Sequence, residues 1–340
     1  MNEPIKHHFI PQFILRNFTF SNDQIYYWNK ENNKLEIRNT KTVYMVENLY
    51  RDEKNHPTDP AIIERKFAAL EQEIATLIKT KILGMDSITI TRADNEKLRK
   101  FLYLLSFRSS HRKQQYIEGN FTPSTKKALD EHTVNEDYVD LWLRELKIIL
   151  DCKNYENLER NEEISWVIKK NYINHIKGYY MTFVTPRGQD FIIGDVYPTA
   201  EIAPIDSTTN LYPHFLYPIT PKLMLILNSI AFKKELIQSQ VLSPMTAWSK
   251  ITGNAVITPK PSYRESRKYS KEDTYRYNVN KIYTEDVKYL NALMLNEVRK
   301  GFSFVEINKV IDCLNSYQDN PGVSEYNKNN YESLLREFNE

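Results

Sequence analysis

Two adjacent imidazoles, His7 and His8, precede Phe9-Ile10-Pro11-Gln12 and the apolar run Phe13, Ile14, Leu15 and Phe18. Imidazole titrates near neutrality and ligates metals through a neutral nitrogen, so this pair suits acid–base chemistry, phosphate contact or metal binding. In an extended segment successive side chains point to opposite faces, which lets one histidine serve chemistry while the other serves structure. Gln12 joins them in the candidate catalytic set. Glu64 and Glu71 stand seven residues apart on an amphipathic segment, two helical turns that bring both carboxylates to one face. Asp195 follows a strand-like segment, where loops commonly present functional groups. Arg108 and Arg112, one turn apart, would form an anion clamp. The competing reading of each is structural: a capping imidazole, solvated carboxylates paired with Arg65 or Lys79, a turn aspartate, or favourable charge at a helix C-terminus. Asn291, among Leu290 and Leu293, reads as a buried hydrogen-bonding residue that fixes packing.

The elements that must position these groups are legible from periodicity. Gln24–Asn29 and Lys34–Arg38 alternate as two strands across the turn Lys30-Glu31-Asn32-Asn33, and Thr42–Val46 is a candidate third, giving a small β-meander. Asp59 and Pro60 start a helix whose apolar positions Ile63, Phe67, Leu70, Ile74, Leu77 and Ile78 repeat up to Gly84. A second helix follows the Thr91 cap and runs through Leu105 towards Tyr116. Tyr138–Leu150 and Glu162–Ile176 are further amphipathic helices, separated by a polar stretch. From Tyr179 the period shortens. Tyr180–Val184, Phe191–Ile193, His214–Tyr217 and Leu223–Leu227 read as strands, 258–277 as a mobile, Tyr-rich excursion, and Thr284–Lys300 as a closing helix capped by Thr284. The expected fold class is α+β: an N-terminal β-meander, a helical middle section and a C-terminal antiparallel sheet closed by a helix. One elaborated domain spans 1–318, β-rich over 1–50, helical over 58–177 and mixed over 178–318. Residues 319–340 follow as a polar tail with one weak helix.

Composition sets outer limits. With 46 Lys and Arg against 44 Asp and Glu, the net charge is +2, which makes no global electrostatic case for nucleic acid and leaves only a local patch. Two cysteines, Cys152 and Cys313, are too few for a disulfide framework or a zinc knuckle. No signal peptide or spanning segment is evident, so a cytoplasmic protein without membrane partners is expected. Eight glycines leave little material for phosphate loops, and no dinucleotide fingerprint, zincin motif or serine elbow occurs, so no nucleotide cofactor is expected.

The opening Lys6–Phe18 resembles the start of a bacterial family of domains of unknown function whose members begin His-His-Tyr/Phe-Val/Ile-Pro-Gln-x-x-Leu-x-x-Phe. Further similarities are the Glu64/Glu71 helix, the arginine pair Arg108 and Arg112, a strand leading into Gly194-Asp195-Val196-Tyr197-Pro198, the Pro218–Pro221 element and a late helix bearing Asn291, together covering roughly residues 6 to 300. The chain departs from the family pattern at the Asp195 turn, where Ser-Asp-Asn-Pro is expected, and before Arg108, where Ser106 or Phe107 stands in place of a frequent glutamine. The resemblance implies no established activity, only an occasional setting near mobile or defence-type genes. The functional expectation is a phosphodiesterase or nuclease, RNase-like toxin or anti-phage effector, acting on RNA or DNA. In it His7 or His8 is general base, His8, Glu64, Glu71 and Asp195 hold Mg²⁺ or Mn²⁺, and Arg108 stabilises phosphate charge. The alternative is a non-catalytic sensor or interaction module for an anionic ligand or a protein partner.

Overall fold

The computed structural model describes residues 6–133, 137–204, 210–230, 273–320 and 323–339. The histidine pair lies on a short strand, β1 (Lys6–His8), and Pro11 leads into a single helical turn, α1 (Gln12–Leu15), whose Ile14 and Leu15 are buried. Strands β2 (Gln24–Asn29) and β3 (Lys34–Asn39) form the hairpin the alternation predicts. The third strand of that meander does not form there: β4 (Met45–Glu47) instead pairs antiparallel with β1, placing His7 opposite Val46.

Helix α2 (Ile62–Lys81) buries Ile63, Phe67, Ile74, Leu77 and Ile78 on the expected face, and Gly84 at φ +74° supplies the left-handed turn beyond it. Strand β5 (Ser87–Thr91) ends in Thr91, which caps α3 (Arg92–Phe107) in a reciprocal capping box with Asp94. The expected run towards Tyr116 is broken. Helix α3 stops at Phe107, and Ser109 caps a new helix, α4 (Ser110–Glu118), by accepting from the Arg112 amide. Helices α5 (Pro123–Asp130), α6 (Tyr138–Asp151), α7 (Tyr155–Arg160) and α8 (Trp166–Lys177) complete the helical middle.

The chain then returns to strands: β6 (Tyr179–Pro186), β7 (Ile193–Gly194), β8 (Thr199–Pro204), β9 (Asn210–Thr220), β10 (Leu223–Ser229) and β11 (Thr274–Ile282). The part of the expected excursion over 258–272 lies outside the described residues, whereas Thr274–Tyr277 belong to β11. Helix α9 (Thr284–Glu297) is opened by the Asp286 carboxylate, which accepts from the Tyr283 amide; the Thr284 hydroxyl donates to the Arg187 carbonyl and is not the cap. Strand β12 (Gly301–Phe304) and helices α10 (Ile307–Gln318) and α11 (Glu325–Asn339) follow. The tail's weak helix is α11, which packs Tyr331 and Leu334 fully out of solvent.

The larger sheet has the order β5-β11-β6-β10-β9-β8, antiparallel except for the parallel β11–β6 pair. Its central strand β10 is buried at every position because both faces are covered. Leu225 and Leu227 point into the core shared with α2, α3, α6 and α8, while Met224 and Ile226 point into a second core with α9, α10 and α11. The smaller sheet, β3-β2-β12-β7, joins the first hairpin to the end of the chain, and Gly301 is required there: a Cβ would lie 2.2 Å from the Trp28 carbonyl oxygen.

Candidate functional site

Strand alternation divides the two histidines as the local geometry requires. His7 is buried, its ring stacked on Tyr50 at 5.5 Å, and its Nδ1 accepts the Tyr50 backbone N–H at 2.9 Å. This is a structural imidazole. An Nδ1 that accepts leaves the proton of the neutral ring on Nε2.

His8 faces the other way and lines an open depression of about 340 Å³ together with Lys6, Gln12, Lys41, Glu64 and Glu71. Its Nε2 lies 3.2 Å from the Thr40 carbonyl oxygen and 3.3 Å from the Gln12 amide nitrogen. One ring nitrogen cannot donate to the first and accept from the second, so the two contacts select opposite tautomers. Arg16 donates to Gln12 Oε1 at 3.1 Å, which orients the carboxamide. In the tautomer that gives Nε2–H to Thr40, Nδ1 carries the lone pair and among the described residues has no hydrogen-bond partner; in the tautomer that accepts from Gln12, the lone pair is on Nε2. Burial lowers the His8 pKa, and the charges of Arg108, His7 and Lys6 add to that, against the opposing hydrogen bond to Thr40. Burial thus disfavours the charged form of the ring.

Glu64 lies on the α2 face beside the buried stripe, and burial pushes its carboxyl up to about 7, with Arg108 working downward and Glu71 upward. Glu71, two turns on, is held differently: Arg108 Nη1 donates to its Oε1 at 2.6 Å. The helix therefore carries one carboxyl that burial raises and, two turns on, one carboxylate paired with a guanidinium, so the two acidic groups sit in different environments.

Arg108 is buried and fully engaged. Its Nη2 donates to the His8 carbonyl at 2.6 Å and its Nε to the Phe9 carbonyl at 3.3 Å, and the guanidinium lies over the Phe67 ring at 4.4 Å. The Tyr50 hydroxyl in turn donates to the Arg108 carbonyl at 2.7 Å. The expected phosphate contact through Arg108 is corrected accordingly: this side chain positions His8 and Glu71 from behind. The expected clamp with Arg112 is not formed, because the helix breaks between them and Arg112 donates to Gln115 Oε1 at 2.6 Å.

Asp195 also stands apart from the set expected for it. Its carboxylate accepts the amides of Arg299 and Lys300 at 3.0 and 2.9 Å, securing the turn before β12, and it does not line the depression. The four-ligand metal set of His8, Glu64, Glu71 and Asp195 is thus not assembled. Among the described residues no three His, Cys, Asp or Glu side chains gather in an arrangement able to hold a metal ion. Asn291 is structural as expected, its amide donating to the Asp190 carbonyl and its Oδ1 accepting from Ile192 N.

Lys6 and Lys41 are the lining residues that sequence reasoning missed. Lys6 adjoins the histidines and could have been included on that ground. Lys41 had no local signal, since only the pairing of β1 with β4 brings the Thr40–Thr42 turn to the depression.

Fold and site together define an α+β protein with a lysine-flanked histidine–glutamate depression on the β1–β4 ribbon and α2. The chain belongs to the family of proteins of unknown function DUF4238, which matches residues 6–303, from β1 into β12. No curated protein and no solved structure matches it. Among the described residues no helix is long and apolar enough to cross a membrane.

Proposed function

We propose that this DUF4238 protein cleaves phosphodiester bonds in a nucleic acid. The observation that carries the reading is the convergence of His8, Glu64, Lys6 and Lys41 on one open depression. A neutral imidazole supplies a base, a carboxyl titrating near neutrality supplies an acid, and two exposed ammonium groups supply charge for phosphate oxygens. Arg108 and Tyr50 act through backbone contacts as positioning residues, fixing the strand that carries His8. Burial of His7 and Arg108 favours a second reading, an anion-binding module without catalysis, in which the same lysines hold a ligand.

The deciding experiment incubates purified protein with end-labelled RNA and DNA, in Mg²⁺, Mn²⁺ or chelator, beside His8→Ala. The expected result is cleavage that falls about 10²- to 10⁴-fold in the variant. Equal rates in wild type and variant would overturn the assigned role, and oligonucleotide binding without turnover would favour the module.

A further inference from the structure

Resting on the phosphodiester reading, we infer that the substrate is single-stranded RNA, cleaved at this depression by its own 2′-hydroxyl without a divalent ion. The inference starts from what the lining groups have left to offer. A metal-dependent nuclease needs several carboxylate oxygens converging on its ion. Here one carboxylate, Glu71, is already neutralised by the Arg108 guanidinium at 2.6 Å, and Asp195 is spent on the backbone amides of Arg299 and Lys300. His8 and Glu64 remain, a pair suited to moving protons rather than to caging a cation.

A base and an acid without a metal-activated water need a nucleophile already in place. RNA carries one: the 2′-hydroxyl is tethered beside its own phosphorus, and such intramolecular attack is equivalent to a reactant at about 10⁵ to 10⁸ M. The step balances on these residues. His8 takes the 2′-hydroxyl proton as the 2′-oxygen–phosphorus bond forms, Glu64 gives its proton to the 5′-oxygen as the phosphorus–5′-oxygen bond breaks, and Lys6 and Lys41 face the non-bridging oxygens. The products are a 2′,3′-cyclic phosphate and a free 5′-hydroxyl. Proton exchange with solvent restores a neutral His8 and a protonated Glu64. The open form of the depression suits a flexible strand whose ribose can turn to the in-line geometry, which an A-form duplex restrains.

The test uses the full chain in excess chelator with a short RNA, the same RNA carrying one 2′-deoxynucleotide at the cleavage site, and the DNA counterpart. Expected are cleavage of the RNA, cyclic-phosphate ends, and a loss of at least about 10⁴-fold on the single deoxy substitution. Glu64→Gln is expected to lower kcat about 10²-fold, with partial recovery in Glu64→Asp. Cleavage of DNA, a requirement for Mg²⁺ or Mn²⁺, or 5′-phosphate ends would overturn the RNA inference and leave the phosphodiester reading standing. No cleavage of any substrate, with or without metal, would overturn both. The deoxy substitution alters only the substrate, so its outcome does not depend on a variant that folds.

Discussion

Arg108 Nη2 donates to the main-chain carbonyl of His8 at 2.6 Å, so the backbone of the candidate base is held by a residue 100 positions away. The same guanidinium neutralises Glu71 and covers the Phe67 ring. Replacing it with methionine keeps much of the volume but leaves a carboxylate and two carbonyls without their donor. A cost of about 3 to 5 kcal/mol is expected, because breaking a buried pair strands the remaining charge. Urea unfolding checks this. A second substitution, Glu71→Gln, should cost less, since the guanidinium keeps its two carbonyl partners. Equal stability of Arg108→Met and wild type would show that the clamp contributes nothing.

The two histidines should separate cleanly in mutagenesis. His7→Ala removes a ring stacked on Tyr50 and orphans a buried amide, with an expected loss of about 2 to 4 kcal/mol. His8→Ala, at a half-buried edge, should cost about 1 kcal/mol or less while carrying the loss of activity. Thermal unfolding and turnover measured on both variants decide it. A large stability loss in His8→Ala with unchanged turnover would reverse the assignment.

That division follows from strand alternation and was open to the sequence, but which histidine faces inward was not. The choice depends on the register with Met45–Glu47, a three-residue strand too short to announce itself. Thr91 was legible as a cap because its partner Asp94 sits three residues on, in the same local code. The break at Arg108 was hidden because the apolar period runs on past it; Ser109 was the available signal, and its capping role shows only once the helix is seen to restart. Asp195 resembled a site residue because a strand end precedes it. Its real partners, the amides of Arg299 and Lys300, come from a turn more than 100 residues later. The pairing of β12 with β2 is non-local in the same way, and it moved the third strand of the expected meander to the far end of the chain.

Glu64 gives a pH signature with a definite sign. Burial, countered by Arg108 and supported by Glu71, raises its folded value to about 7 from 4.5, so the folded state holds this proton more tightly than the unfolded chain. Its contribution is favourable below the unfolded value and declines as pH rises from about 4.5 through 7, then stays level. The full shift corresponds to about 3 kcal/mol, and partial exposure reduces the expected slope to about 1 to 2 kcal/mol. Glu64→Gln cannot ionise. Relative to wild type it should gain that amount between about pH 5 and pH 8, read as the difference in unfolding free energy. A difference that stays constant across the range would show that Glu64 titrates normally.

Gly301 tests the junction between the first hairpin and the end of the chain. A Cβ there would meet the Trp28 carbonyl at 2.2 Å and the Tyr27 ring at 2.4 Å, and backbone on one side leaves no room to yield. Gly301→Ala should therefore cost about 2 to 3 kcal/mol through displacement of β12 from β2. Chemical denaturation provides the measurement. The substitution lies away from the lysine-flanked depression, so residual folded protein should retain wild-type turnover per folded molecule.

Lys6 and Lys41 are exposed, and a polyanionic substrate should reveal them through salt rather than stability. Each lysine that neutralises a phosphate of a single strand contributes about 0.7 to the negative slope of log affinity against log salt. The double variant Lys6→Ala/Lys41→Ala should therefore flatten that slope for kcat/KM by about 1.4. At low salt KM should rise about tenfold or more, and the unfolding midpoint should hardly move, because both side chains are exposed to solvent. Titrating KCl against RNA cleavage gives the slope directly. A slope unchanged in the double variant would mean that the strand follows another face, and the two lysines would lose their place in the site.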